Sequence, residues 1–378
     1  MIDPYLNVLL NVIVVMTTII IALLAAIILI RLLSSLNKQK YRIKSREWES
    51  IYLNYLHGDL TLEKAVQMMA GEKRYYWLWH FFNPYLEALE GTDFDKTKAF
   101  CREIGLIGHY KKKLNRGGAA KKAVAARVLG ALRCRESAKE MMGLLQSRNQ
   151  LLVQAAAQGL ARSGQSDAFF PAAQALLRQT FITYEQATAI LAAFGKEICP
   201  HIVRLLEDEA AQLPTSNRDR GIRSPKQFRG KNSVDPSVFR SIMVDLLGFF
   251  KYREALPLLE RLLEKADEET TLHILKAFIS IGEAPASLDL KPYLEHRYWA
   301  VRNFSARAWK LTGDRQVLPV LEKMLVDRNW WVRFHAAEAL RSAGWPGLVI
   351  LKGKTAEADR TAASVSSYVL NRGGVNGG

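Results

Sequence analysis

Hydrophobic positions along the chain follow two regimes. From Tyr5 to Ile30 there are 26 residues without a charge, a glycine or a proline. Beyond residue 118 the apolar positions recur three and four apart, in short Ala- and Leu-rich stretches that end at glycine. The first regime predicts a helix about 39 Å long, set against a bilayer hydrocarbon core of about 30 Å. Such a helix spans with some tilt. The second regime predicts a succession of amphipathic helix pairs, and strand-like alternation is absent over any useful length.

The second regime is periodic. Trp299-Ala-Val-Arg-Asn-Phe-Ser-Ala-Arg-Ala-Trp-Lys-Leu-Thr-Gly313 aligns with Trp330-Trp-Val-Arg-Phe-His-Ala-Ala-Glu-Ala-Leu-Arg-Ser-Ala-Gly344 at an offset of 31 throughout. Gly282 lies one such interval before Gly313, and Gly195 follows Gly164 by the same distance. A fixed period in this range means stacked supersecondary units, each too small to bury its own apolar face. Every unit reads as an Ala-rich first helix closed by a glycine in the left-handed C-cap position, then a Leu-rich second helix. Pro171, Pro257 and Pro319 stand near the starts of second helices, where the first-turn amides lack an intrahelical acceptor anyway. Seven units are expected, near 119–147, 149–179, 183–211, 239–267, 270–296, 299–328 and 330–350.

The run Asp327-Arg-Asn-Trp-Trp-Val-Arg333, followed by Ala-Ala-x-Ala-Leu and a glycine, resembles the HEAT-repeat family in its short PBS-lyase-like form. The resemblance covers roughly residues 119–350 and is strongest in the last units. It implies an all-α fold, a right-handed solenoid of HEAT-like helix pairs preceded by one transmembrane helix, with an extended binding surface. In the family, the Asp and Arg of this motif form a ladder between repeats. Here Arg302 and Arg333 match, Asp327 supplies the acid, and His296 stands where the previous unit should carry Asp, so a partial ladder is expected.

The expected organisation is an anchor at 1–33, a basic juxtamembrane and aromatic helical cap at 34–118, and repeats at 119–212. A flexible insertion follows at 213–238, then repeats at 239–350 and a closing helix with a disordered tail at 351–378. The cap region carries Trp48, Tyr52, Tyr55 and Tyr75-Tyr-Trp-Leu-Trp-His-Phe-Phe82, which read either as a cover for the first repeat or as residues of the membrane interface. The insertion holds three prolines and six basic against two acidic side chains between Pro214 and Ser237.

Charge sharpens the topology. The 378-residue chain has a formal charge of +16. Only Asp3 precedes the apolar run, whereas Arg31, Lys38, Lys40, Arg42, Lys44 and Arg46 follow it before the first acid, Glu47. By the positive-inside rule the carboxyl-terminal side is cytoplasmic, and the absence of a basic start argues for an uncleaved anchor over a signal peptide. The same six cations are expected to face an anionic lipid surface.

A search for chemistry comes back empty. The seven histidines and three cysteines show no metal-ligand spacing, and neither a P-loop, a GxGxxG nor a GxSxG elbow is present. Catalytic, metal and cofactor sites are therefore expected to be none. Trp299, Arg302, Trp330, Trp331 and Arg333 are of the residue types enriched at protein–protein hot spots and form the expected partner-binding set, with one of the two adjacent tryptophans buried. The resemblance extends to bacterial proteins with the same layout that accompany membrane-embedded family 2 glycosyltransferases. It implies a scaffold in the bacterial inner membrane, partnered by an integral membrane protein, that assembles or controls exopolysaccharide synthesis. The alternative is a membrane-tethered nucleic-acid-binding HEAT protein. The dispersed positive charge, interleaved with Asp and Glu, argues against it. An enzyme related to the phycobilin lyases is the third reading, since a repeat match carries fold and not activity.

Overall fold

A computed structural model describes residues 4–179, 182–212, 235–356 and 360–372. Among them every regular element is helical. The chain divides into two compact units at Gly117/Gly118.

The amino-terminal unit begins with α1 (Pro4–His57), a single helix of 54 residues. Its apolar segment has a mean hydropathy of 3.2 and is long and apolar enough to cross a membrane, and none of it is buried. The helix continues without a break through residue 33, where an anchor boundary was expected, and its last turns enter a core. Trp48 and Tyr52 are buried there against α2 (Leu62–Met69), α3 (Tyr75–Ala88), α4 (Gly91–Glu103) and α5 (Leu106–Arg116). The rings of Tyr52 and Phe82 meet edge to face at 5.4 Å, and those of Trp48 and Phe81 at 5.7 Å. Edge-to-face pairs of this kind add about 0.5–1.5 kcal/mol beyond burial. The aromatics that read as candidates for a membrane interface thus largely build this unit's own core, although Tyr76 remains exposed.

The second unit is a stack of seven helix pairs: α6 (Ala119–Ala131) with α7 (Ala138–Leu144), α8 (Gln150–Arg162) with α9 (Phe169–Leu177), and α10 (Tyr184–Ala192) with α11 (Cys199–Gln212). Then come α12 (Pro236–Phe249) with α13 (Leu256–Leu263), α14 (Glu268–Ile281) with α15 (Lys291–Leu294), α16 (Trp299–Thr312) with α17 (Leu318–Lys323), and α18 (Trp330–Ser342) with α19 (Trp345–Thr355). A last helix, α20 (Arg360–Arg372), packs on α18 and α19. Residues 213–234 of the expected insertion lie outside the described residues. Its end differs from expectation, because Asp235 caps α12 with its side chain and Pro236 already opens that helix. The tail from residue 373 also lies outside the described residues.

First helices stack on first helices along this unit. Alanine makes that approach possible: Ala155, Ala156 and Ala157 of α8 are all fully buried, as are Ala336 and Ala337 of α18. Leucines such as Leu160, Leu259 and Leu340 fill the layer behind, each contributing about 1.5–3 kcal/mol by burial.

One backbone position marks every unit. Arg133, Gly164, Gly195, Lys251, Gly282, Gly313 and Gly344 all have positive φ, and successive members are 31 residues apart except Gly195 and Lys251. That interval is 56, so the insertion adds 25 residues to one period. Two of the seven positions hold a long basic side chain in a conformation that L-residues adopt at a cost of about 1–2 kcal/mol.

Candidate functional site

Asp327 and Arg302 join the last two complete units. The Arg302 guanidinium donates from Nε to Asp327 Oδ2 at 2.7 Å and from Nη2 to Oδ1 at 3.0 Å, a forked pair with both side chains largely buried. Its Nη1 donates to the carbonyls of His296 and Arg297 at 2.8 and 2.9 Å. Arg333, one period on, repeats half of this. Its Nη1 donates to the carbonyls of Asp327 and Arg328 at 2.8 and 3.3 Å. Its Nε is buried and has no hydrogen-bond partner.

The ladder is partial for a reason the register supplies. Asp327 Oδ1 also accepts from the Asn329 amide at 2.8 Å, and one period earlier His296 Nδ1 accepts from the Tyr298 amide at 3.1 Å. The imidazole therefore reproduces the turn-closing role of the carboxylate. It has no arginine to serve, because the residue one period before Arg302 is Thr271.

Above this ladder the first turns of α16 and α18 carry tryptophans. Trp299 is 39% exposed, Trp330 45% and Trp331 53%. The expectation that one of the adjacent pair is buried is therefore wrong. The inward positions of α18 are taken by Val332, Ala336 and Ala337, and the two tryptophans open the helix ahead of them. Trp330 stacks on Phe334 at 5.1 Å, Trp331 meets Trp330 edge-on at 4.8 Å, and Phe334 reaches Tyr368 of α20 at 6.1 Å. The rings hold one another in place, so an aromatic surface stands ordered in contact with solvent.

Charged groups lie beside the His335 side of it. Arg307, over the Phe304 ring at 4.8 Å, and Lys310 are close to His335, Lys310 reaches Glu338 at 3.7 Å, and Arg341 reaches the same carboxylate at 3.2 Å. Burial, with Arg307 and Lys310 close by, pushes His335 down to about 4, against the opposing pull of Glu338. The imidazole therefore stays neutral at pH 7, stacked on Trp331 at 6.2 Å.

Of the five expected partner-binding residues, the three tryptophans are available at the surface. Arg302 is committed to Asp327, and Arg333 is committed through Nη1 alone. The six juxtamembrane cations sit on α1 itself. Arg46 lies sixteen residues past Ile30 on one unbroken helix, about 24 Å along its axis, against a screening length of about 8 Å. Arg31 and Lys38 lie nearest the apolar stretch, whereas Arg42, Lys44 and Arg46 stand progressively farther along the helix.

One polar cluster was invisible in the sequence. Tyr184 Oη donates to Asp245 Oδ2 at 2.7 Å, and His273 Nδ1 lies 2.7 Å from Asp245 Oδ1. The three residues come from the first helices of three successive units and span the insertion. Burial and the Asp245 charge raise Tyr184 well above the usual phenol range, so it remains a donor. Among the described residues no group of three or more His, Cys, Asp or Glu could hold a metal ion.

Residues 287–360, which contain the ladder and the aromatic surface, match the family model for HEAT repeats. These residues carry HEAT repeats. No curated protein matches the sequence. Among solved structures, this chain is similar to an engineered protein at 16% identity, covering 82% of this chain and 98% of that one, with a TM-score of 0.29. It is also similar to the complex of CpcE and CpcF of phycocyanin lyase from Nostoc, at 16% identity, 86% and 94% coverage and a TM-score of 0.24. A third likeness is to human deoxyhypusine hydroxylase, at 15% identity, 87% and 96% coverage and a TM-score of 0.21. At these TM-scores the likenesses say nothing of what this stack of helix pairs binds or does.

Proposed function

We propose that this is a membrane-anchored HEAT-repeat scaffold that binds protein partners through the aromatic face of its last units. The observation that carries the reading is the ordered, solvent-facing pair Trp330 and Trp331, packed on Phe334, on a repeat whose own core is already complete. Clustered tryptophans beside cations are the composition of interface hot spots. The anchor half rests on α1, whose apolar segment is unburied and runs directly into the core of the amino-terminal unit. A core helix would be covered, and cleavage of a signal sequence within it would cut a helix that supplies Trp48 and Tyr52. Arg31 and Lys38 then mark the cytoplasmic side and meet anionic lipid.

The finer reading is a scaffold in a bacterial inner membrane that assembles or regulates an exopolysaccharide-synthesis complex containing a family 2 glycosyltransferase. It is supported by the likeness of layout alone: an uncharged span, a basic aromatic helical segment, then repeats ending in Trp-Trp-Val-Arg. The test is cross-linking in the native host, purification in mild detergent and mass spectrometry of what co-purifies. Recovery of a polytopic glycosyltransferase, lost on deletion of residues 1–33 or on Trp330→Ala/Trp331→Ala, supports the scaffold and its face. Recovery of nucleic acid with no membrane protein would overturn both.

A further inference from the structure

The repeats supply their own reference for what an arginine at this position binds. In α16, Arg302 fastens Nη1 to two carbonyls of the preceding turn and offers the edge formed by Nε and Nη2 to a carboxylate. In α18, Arg333 fastens Nη1 to the equivalent two carbonyls, those of Asp327 and Arg328, so the guanidinium is held in the same way one period on. Its other edge receives no carboxylate from the described residues, and its Nε is buried without a partner. One period before Arg302 and Asp327, Thr271 replaces the arginine and His296 the acid; one period earlier still, Arg240 stands with Lys265 in the acid's position. Arg333 also lacks an acid in register, because one period after Asp327 stands Ala358. A buried guanidinium nitrogen without an acceptor is destabilising, a penalty that an incoming acceptor removes. Arg is also the side chain whose planar fork matches a carboxylate in two bonds.

We infer that Arg333 is a docking site for a carboxylate on a protein partner, with an apolar neighbour of that carboxylate laid on Trp330. Trp330 precedes Arg333 by three residues on α18, hence on the same side of the helix, and its ring is 45% exposed. The partner therefore presents an aspartate or glutamate beside an apolar residue. In docking, the partner's acid does for Arg333 what Asp327 does for Arg302. The inference rests on the reading of this face as a partner surface.

The probe is a fluorescently labelled peptide copying Leu325–Trp331, which contains the natural acid of the ladder, and the same peptide with Asn in place of Asp327. Binding to the full chain in detergent micelles is followed by anisotropy. The acidic peptide should bind roughly tenfold more tightly than its amide twin, and Arg333→Lys, which keeps the charge and loses the fork, should erase that difference. Trp330→Ala should weaken both peptides. Equal binding of both peptides to the wild-type chain, abolished by Trp330→Ala, would sink the carboxylate site and leave the aromatic docking face standing. No binding of either peptide would also overturn it, whatever partner cross-linking recovers. A several-fold gain in affinity in Glu357→Gln/Asp359→Asn would mean that the chain fills the edge itself, and would overturn it too. Thermal melting of each variant shows that the stack remains folded.

Discussion

Gly130 and Gly159 bring α6 and α8 together backbone to backbone: a Cβ built on Gly130 would lie 2.4 Å from the Gly159 Cα and 2.6 Å from its carbonyl oxygen. Nothing at the contact is the movable end of a side chain, so the helices themselves must part to admit a methyl group. Gly130→Ala should cost about 1–3 kcal/mol, in the range of overpacked cores, and lower the melting temperature of the helical signal. An unchanged melting curve would mean that the crossing is looser than this.

Arg133 and Lys251 hold φ near 50°, at the position glycine occupies in the other five units. Arg133→Gly and Lys251→Gly should each stabilise the stack by about 0.5–1 kcal/mol, as relief of left-handed strain outweighs the entropy of a more flexible unfolded chain. Chemical denaturation of the two single variants and the double would check both the sign and the additivity.

These positions also show what the sequence disclosed. The period was readable because glycine advertises a left-handed turn at Gly282, Gly313 and Gly344, and the alternation of small and large apolar residues names the two helices of each unit. Arg133 and Lys251 gave no such sign, since their chemistry does not report φ. The Tyr184–Asp245–His273 cluster was hidden for a different reason. Its members are 61 and 28 residues apart and meet only once the insertion is subtracted and the first helices are stacked. The exposure of both Trp330 and Trp331 escaped the argument from helical faces because that argument holds within a helix, and these residues form its first turn.

Asp245 accepts from both Tyr184 and His273, so removing it strands two partly buried polar groups. Asp245→Ala should cost about 2–4 kcal/mol, while Tyr184→Phe, which removes a single donor, should cost about 1 kcal/mol. A double-mutant cycle between Tyr184→Phe and His273→Phe should show coupling, because the two share one carboxylate. Strict additivity would mean that they act independently.

His335 sets a pH dependence. The unfolded chain takes up this proton near pH 6.5, whereas the folded chain resists until about 4. Between these values the unfolded state binds more protons, so stability falls as the pH drops through the window and is unaffected by this group above it. His335→Gln should flatten that part of the curve. Parallel melting temperatures for wild type and variant from pH 7 to 4.5 would refute it.

Trp330→Ala/Trp331→Ala should leave the melting temperature within the small range typical of surface changes, about 0.5 kcal/mol, because each indole is about half exposed. The same variant should lose partner capture in the cross-linking experiment. A large drop in stability would assign the pair to the core of the last repeat.

The unbroken course of α1 couples two quantities that a hinged linker would separate. Tyr41 is half-buried and lies 5.2 Å from the His80 ring, so the core of the amino-terminal unit takes hold of the same helix that carries the apolar stretch ending at Ile30. Each residue advances the helix by about 1.5 Å and turns it by about 100°. The number of residues between Ile30 and Tyr41 therefore sets distance and heading together, as the pitch of a screw does. Seven added residues would lift the unit by about 10 Å and return it to nearly the same heading, whereas two would lift it by only about 3 Å and leave it facing almost the opposite way.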